Sequence, residues 1–407
     1  MTTQTALLAP TTEKERLSLL DALRGFAVFA ILFNNMGFFS GPAREPGFVF
    51  TLPTASDVAV DALIGFFING KSYLLFALLF GLGFAMQLNR AEARGTNFLP
   101  VYTRRLTLLF AIGILHMVFL WDGDILAMYA ILGFGLLLVR RWPSWSLLVG
   151  MVALLILSPI SQWIFYVQNS SAEGWGNVLA TGSGATLSST PADKALAVYG
   201  HGRYLDMVAY RLETVPDHIG RLWFNQSLSA LSFFLFGLYA GRQRFHETVA
   251  THAARLRTWM PWVLAAALVV NLIYVVAFMQ GRVRLELVGL ALGGPLMCFV
   301  YVGSLVLLME RPAWRVRLAP MAAVGRIALT NYLLQSVVCT TIFYGYGFGL
   351  YGQIGTTTSF VFAWAIIACQ IVLSTWWLRH FHFGPVEWLW RSLTYGRWQT
   401  LRRLVPG

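Results

Sequence analysis

Charge is scarce in this chain, and what there is leans one way. Charged residues make up 12% of the 407, with 30 basic against 18 acidic, while 57% are hydrophobic. So little charge leaves no room for a polar basic domain, which excludes a nucleic-acid-binding module. Cysteine is also rare. Cys298, Cys339 and Cys369 all fall inside apolar stretches, without disulfide framework or metal-ligand spacing, and read as small packing residues. Histidine is missing altogether from residues 1–115. A cleavable signal is not expected either, because residues 1–18 are polar and the first apolar run is too long for one.

What fills the chain instead is long apolar runs. A membrane crossing needs about 20 predominantly apolar residues. Candidate spans cover 19–39, 62–89, 104–121, 124–139, 145–167, 221–241, 260–280, 285–309, 321–343 and 357–378. The expected fold is therefore all-α, a polytopic bundle of about ten transmembrane helices in one domain over 19–378. A polar tail (1–18) precedes it and an interfacial segment (379–407) follows. The second run exceeds one span and is expected to begin as a surface-lying piece around 57–69.

The basic residues orient the spans. With the N-terminus inside, 21 of the 30 lie on the cytoplasmic side, eight lie outside, and Arg24 is within the first span. The positive-inside rule then predicts both termini in the cytoplasm. The net charge of +12 reflects topology and contact with anionic lipid.

Most connections are short, so consecutive spans should be antiparallel neighbours. The exception is the outer loop 168–220. It opens on a Gly/Ser/Thr-rich stretch at 180–190 and continues as an amphipathic helix with Leu196, Tyr199, Leu205, Val208 and Leu212 at helical spacing. At the other end of the chain, Trp376, Trp377, Trp388, Trp390 and Trp398 mingle with arginines. A short interfacial helix over 385–395 should start at Pro385, since proline suits the first helical turn.

Ionisable residues at membrane depth carry a cost of a few kcal/mol or more, so they mark where chemistry belongs. The third span is the richest. Arg104 and Arg105 open it, His116 lies near its far end, and Trp121-Asp122-Gly123-Asp124 closes it, with Tyr129 shortly after. His116 precedes Asp122 by six residues, roughly 9 Å of helix. Its imidazole is either a general base beside a carboxylate or a hydrogen-bonding link to a neighbouring helix. Asp124 reads first as the N-cap of the fourth span, with a second role open. Asn34 and Asn35 stand near the outer end of the first span.

A different set occupies the inner half. Asp21 and Arg24, one turn apart, are placed to pair. Adjacent arginines at a membrane face are usually anchors, yet Arg104 and Arg105 are also the residue type that grips phosphate. From Arg105 to His116 is about 17 Å of helix, enough to hold two ends of one long ligand. Lys71 sits after Gly70 at a break in the second run. Asn331 and Gln335 are polar groups at membrane depth, more often interhelical glue than substrate ligands.

Several of these stretches resemble one family. Leu20-Asp21-Ala22-Leu23-Arg24-Gly25-Phe26-Ala27 through Asn34-Asn35, and His116 through Trp121-Asp122-Gly123-Asp124-Ile125-Leu126 to Tyr129, look like the YeiB family of bacterial membrane proteins. So do Gly325-Arg326 through Leu329-Thr330-Asn331-Tyr332-Leu333-Leu334-Gln335-Ser336, and Phe383-Gly384-Pro385-Val386-Glu387-Trp388-Leu389-Trp390-Arg391. The resemblance covers nearly the whole chain and is weakest in 168–220. It implies the bacterial cytoplasmic membrane but supplies no reaction.

A more distant likeness does supply one. Asp-x-x-Arg-Gly followed by an outer Asn is similar to heparan-α-glucosaminide N-acetyltransferase. The ten residues between Arg105 and His116 are similar to an arginine–histidine pattern in the acyltransferase-three family. Those enzymes carry a histidine near the outer end of the first span. Its lack here either counts against direct acyl transfer or moves the base to His116.

Two classes of function follow. As an acyltransferase using cytoplasmic acyl-coenzyme A, Arg104 and Arg105 would hold donor phosphates, with Arg24, Lys71, Trp121, Tyr129, Asn331 and Gln335 lining the binding region. His116 would deprotonate a lipid or sugar acceptor, Asp122 or Asp124 would orient it, and Asn34 or Asn35 would donate to the oxyanion. No metal or prosthetic group is indicated. As a transporter of a small molecule or lipid, the outer polar cluster would be a vestibule. However, no repeat is visible, and the polar residues gather at the ends rather than the midplane.

Overall fold

The longest apolar stretches fold into helices, several of which carry a proline within them. The computed structural model describes residues 18–42, 54–172, 191–245 and 249–403. Within these are α1 (Ser18–Ser40), α2 (Ala55–Phe67), α3 (Ser72–Ala93), α4 (Phe98–Phe119), α5 (Leu126–Val139), α6 (Ser144–Ala172) and α7 (Pro191–His201). Then come α8 (Tyr204–Arg242), α9 (Val249–Met279), α10 (Val283–Met309), α11 (Pro312–Arg326), α12 (Ala328–Phe343), α13 (Thr356–His380) and α14 (Pro385–Tyr395). Among the described residues there is no strand, only an isolated bridge between Phe381 and Arg402. The expected N-terminal tail and the Gly/Ser/Thr-rich stretch at 180–190 lie outside the described residues.

Among the described residues, seven helical stretches are long and apolar enough to cross a membrane, α2 and α3 together making one of them, and eight if the bent pair α11–α12 counts as one. The ten expected spans all fall on helices, but three depart from a simple crossing. The run at 124–139 forms a helix of 14 residues, about 21 Å long against a hydrocarbon core of about 30 Å. The run at 221–241 is the second half of the 39-residue α8. It is too polar for lipid because Gln226, Ser227, Ser229 and Ser232 interrupt it. Protein surrounds it instead: α8 packs against α3, α4, α5 and α6. A Cβ on Gly81 would come within 2.1 Å of the Phe234 carbonyl oxygen, and one on Gly237 within 2.2 Å of that of Leu78. Small residues here let two backbones approach as they do in membrane helix pairs. The run at 321–343 is not continuous either. It breaks at Ile327, and α11 and α12 meet at 75°.

The main core lies between α1, α3, α4, α5 and α8. A second cluster, toward the Trp121 end, joins α1, α7, α12 and α13 through Phe39, Trp121, Tyr199, Phe343 and Tyr344. Large apolar side chains on α6, α9 and α13, such as Ile156, Val269 and Val372, face outward, as a lipid-exposed surface requires.

The amphipathic helix expected in the long loop is two helices with different buried faces. Tyr199 is buried, but Leu205 and Leu212 are 74% and 60% exposed, and Met207 and Arg211 take the inner positions. The break at Gly202 and Arg203 resets the register between α7 and α8. A single helical stripe drawn across it therefore points the wrong residues inward. The segment expected at 57–69 is α2, and Gly70 leaves it with φ of +76°. Thr54 and Asp57 form a capping box at its start, and Asp57 Oδ1 also accepts from the Thr357 amide at 2.8 Å, pinning α2 to α13. The C-terminal helix appears where expected, with Pro385 in its first turn and Gly396 closing it at φ of +64°.

Candidate functional site

The turn at the end of α4 places the first functional side chain. Both Leu120 and Trp121 donate their amides to the His116 carbonyl, at 2.9 and 2.8 Å, so the last turn of α4 closes on His116. The chain then reverses, and Asp124 Oδ1 accepts from the Ala127 amide at 2.8 Å, supplying an acceptor to the first turn of α5. The other oxygen, Oδ2, lies 2.8 Å from His116 Nδ1. Gly113, one turn before His116, makes this possible. A Cβ there would stand 2.4 Å from the Ala127 nitrogen and 2.7 Å from Asp124 Oδ1.

The opposite face of the imidazole meets α12. Ser336 Oγ lies 2.8 Å from His116 Nε2. Ser336, His116 and Asp124 are exposed by 1, 2 and 0% respectively. With Asp124 accepting at Nδ1, that nitrogen carries the proton and Nε2 accepts from the serine hydroxyl. Serine, histidine and aspartate thus stand in hydrogen-bonded sequence, an order that in other proteins activates a nucleophile and is recognised by geometry rather than by position in the chain. Asp124, expected as the N-cap, is the residue before the N-cap, Ile125, and from there it accepts from the first turn of α5 and meets His116.

Beside this relay lies a cavity of about 220 Å³. Its walls are mostly apolar, from Ile31, Phe76, Leu79, Phe80, Leu109 and Leu126, with Arg24, Arg105 and Gln87 toward the basic end. Along α3 it runs from Gln87 to Phe76, about 16 Å of helix. Tyr129 and Tyr332 line it as well, and the Tyr129 hydroxyl donates to the Tyr73 carbonyl. The Tyr332 ring also packs 5.2 Å from the His116 ring. Tyr332 is one turn from Ser336 on α12, so it stands between cavity and relay. His116 does not itself line this cavity. Tight packing around the α4–α5 turn closes over it.

The paired arginines divide. Arg105 lines the cavity, stacks 3.8 Å from the Trp390 ring, and its carbonyl accepts the Trp390 indole at 3.0 Å. Arg104 is exposed and reaches the Thr394 carbonyl at 3.5 Å. Neighbours on a helix point about 100° apart, so Arg105 faces the cavity while Arg104 faces the surface. Arg24 lines the cavity while holding Asp21 at 2.8 Å.

Other expected site residues lie elsewhere. Lys71 is buried, donates to the Gly65 carbonyl at 2.7 Å and sits over the Tyr274 ring, so it closes the end of α2 rather than joining Arg105. Asn331 and Gln335 are cross-links. Asn331 Nδ2 donates to Ser374 Oγ at 3.0 Å and Gln335 Nε2 to Gln370 Oε1 at 2.9 Å, as interhelical glue between α12 and α13. Trp121 is buried against Phe39, with centroids 4.2 Å apart. Asn34 donates to the Asn35 amide oxygen at 3.1 Å. Asn35 lies one turn beyond Ile31 on the cavity-facing side of α1.

Asp122 does not orient His116. It stands in the electrostatic neighbourhood of Arg211, Tyr199 and Tyr344. Arg211 is fully buried, and it donates to the Val118 carbonyl at 3.3 Å, while Tyr204 donates to that of Phe119 at 2.8 Å. Together they cap the end of α4 with side chains from α8. Ser336 and Tyr332 were present in a quoted motif but gave no sign of their role, since a serine in an apolar helix is ordinarily a packing residue. Among the described residues, no group of three or more His, Cys, Asp or Glu could hold a metal ion.

Comparison with known proteins gives a family but no described activity. Residues 240–397 match the family model described as "Protein of unknown function (DUF418)". The chain is 37% identical to "Uncharacterized protein YxaH" of Bacillus subtilis, over 97% of this chain and 98% of that protein. It is 28% identical to "Uncharacterized protein YeiB" of Escherichia coli, over 93% of this chain and 96% of the other. No solved structure matches it.

Proposed function

The chain belongs to the YeiB family, and from its geometry we propose that it is a membrane-bound acyltransferase working through Ser336, His116 and Asp124. The observation that carries the reading is the hydrogen-bonded order Ser336–His116–Asp124 beside a cavity with arginines at one end. In this reading ten segments cross the cytoplasmic membrane, with both termini inside. The cavity's arginine end then faces the cytoplasm.

Arg105 and Arg24 hold the phosphates of an acyl-coenzyme A, through forked charge-assisted bonds. The acyl group extends along the apolar wall toward Tyr332. His116 Nε2 takes the Ser336 proton as the serine oxygen attacks the thioester carbonyl. The carbon–sulfur bond breaks, and the thiol leaves with that proton. An acceptor hydroxyl or amine then attacks the serine ester, giving its proton to Nε2 and restoring the serine. Asp124 keeps the imidazole in the tautomer both steps need and stabilises its charge. Displacement of the Tyr332 ring admits the acyl carbonyl to Ser336.

The test is trapping. Purified protein incubated with acetyl-, octanoyl- and palmitoyl-coenzyme A should gain the mass of one acyl group at Ser336, located by fragmentation. Loss of the adduct in S336A and H116A supports the reading. A wild-type protein that never acquires an adduct, with any donor, overturns the serine route. The transport reading draws on the break between α11 and α12, since broken helices often build transporter sites. Uptake into vesicles that survives S336A, without any adduct, would favour it.

A further inference from the structure

We infer that the cavity beside the relay is a site for one unbranched apolar chain of medium length with an anionic head, and that Gly83 limits how long that chain is. The inference rests on the acyl-transfer reading only for the use made of such a ligand; what the cavity admits follows from its walls. On α3, Phe76, Leu79, Phe80, Gly83 and Gln87 line it, at the three- and four-residue spacing that keeps side chains on one helical face. Gln87 stands toward the arginine end and turns back along the wall, its Nε2 donating to the Gly83 carbonyl at 3.2 Å. Beyond it the α3 wall is apolar.

Gly83 is the odd member of this face. A Cβ on it would meet no heavy atom of another element within 4 Å, whereas one on Gly81 would stand 2.1 Å from the Phe234 carbonyl oxygen. Packing against α8 thus accounts for Gly81 and leaves Gly83 unaccounted for. A glycine in a helix interior costs stability relative to alanine, so an open glycine in a cavity wall points to a ligand that passes over it. Gly83 lies about 6 Å of helix from Gln87 and about 10 Å from Phe76, part-way along that path.

The basic end selects the head. Arg105 lines the cavity and stacks 3.8 Å from the Trp390 ring. Stacking engages the face of the planar guanidinium, and its N–H donors lie in the edge, the part that matches carboxylate or phosphate oxygens. Volume selects the chain. A cavity of about 150 Å³ lined by Leu, Ile and Phe holds benzene, so 220 Å³ gives room for about nine carbons. A two-chain phospholipid carries several times that and does not fit. Two sources offer such a chain: a free carboxylate or phosphate monoester, and a coenzyme A thioester.

Melting of the purified full-length protein tests this, in a sterol-based detergent that has no linear chain to compete. Butyl, octyl and hexadecyl phosphate, octanol and the octyl thioether of coenzyme A are titrated separately. None carries a transferable acyl group, so the result does not depend on whether Ser336 is ever acylated. Each added CH₂ should tighten binding about fourfold until the cavity is full. Octyl phosphate should therefore bind about 100-fold tighter than butyl phosphate, and hexadecyl phosphate no tighter than octyl. Octanol should bind about tenfold more weakly than octyl phosphate, and R105Q should remove that difference. G83L should weaken octyl phosphate about tenfold or more and leave butyl phosphate within about twofold. G135L, at an equally open glycine on α5 outside the cavity, should change neither; the open space at both positions lets these variants fold. Binding of the thioether with the same G83L response assigns the chain to the coenzyme A donor, and binding of octyl phosphate alone assigns a free amphiphile. The inference is overturned if affinity keeps rising to hexadecyl phosphate, if octanol equals octyl phosphate, or if G83L keeps the wild-type length profile. A length profile without any adduct at Ser336 leaves it standing and sinks acyl transfer; equal adducts from acetyl-, octanoyl- and palmitoyl-coenzyme A without a length profile do the reverse.

Discussion

Gly325 lies against the backbone of Asp21, so close that a Cβ on it would stand 1.8 Å from the Asp21 carbonyl oxygen. One turn along each helix, a Cβ on Gly25 would meet the Met321 carbonyl oxygen at 2.0 Å. The two glycines let α11 cross α1 in direct backbone contact. The crossing holds the Asp21–Arg24 pair at the basic end of the cavity. We expect G325A and G25A each to destabilise by about 1–3 kcal/mol or more, because backbone cannot move aside as a side chain can. Thermal unfolding in detergent measures this. An unchanged midpoint in both variants would contradict the crossing.

The relay predicts different outcomes for its members. D124N keeps the shape but offers His116 Nδ1 a hydrogen-bond donor, which favours the wrong tautomer. Acyl transfer should fall by about 100- to 10,000-fold, with adduct formation at Ser336 slowed in parallel. S336A should remove the adduct and also lower stability by about 1–3 kcal/mol, since Nε2 loses its buried partner. A variant that melts lower yet turns over normally would assign His116 and Ser336 to helix cross-linking alone.

Arg104 and Arg105 should part company in kinetics. R105A should raise the Michaelis constant for the acyl donor more than it lowers turnover, because it removes binding common to ground and transition states. It also frees Trp390, whose indole fluorescence provides a second readout. R104A, losing one long contact at an exposed position, should change stability by no more than about 0.5 kcal/mol and leave donor binding intact. Equal effects from both substitutions would sink this division.

Glu387 joins α14 to the start of α12. Its Oε1 accepts the amides of Leu329 at 2.7 Å and Thr330 at 3.0 Å, and its Oε2 accepts the Thr330 hydroxyl. E387A should therefore cost about 0.5–2 kcal/mol as a lost helix cap, and E387Q less. Burial pushes its carboxyl above the ordinary 4.5, against the opposing pull of those hydrogen bonds. The folded state thus favours the protonated form. That stabilisation is complete below the ordinary value and is lost as pH rises through the folded one. E387Q should flatten this part of the pH–stability curve; an identical slope in wild type and E387Q would refute the assignment.

Parts of this site were legible from neighbouring residues. Asp124 stands at the start of an apolar run and accepts from its first turn. Pro385 opens a helix, and Asp21 pairs with Arg24 one turn away. Other parts misled for identifiable reasons. Leu205 and Leu212 continue the spacing of Leu196 and Tyr199, but the Gly202–Arg203 break rotates them outward. Asn331 and Gln335 bond Ser374 and Gln370 across to α13, partners about 40 positions away that spacing along α12 does not reveal.

The chain by itself determined the helices and their basic end, because apolar length, prolines and arginine placement act between residues close in sequence. It likewise determined that His116 needs partners, since an imidazole at membrane depth is costly without them. Only the tertiary structure decided which partners. Ser336 lies 220 positions from His116, and no local spacing relates the two. The same holds for Trp390 beneath Arg105, 285 positions away. Helix periodicity decides which way a residue points on its own helix, but the packing of whole helices decides what it meets.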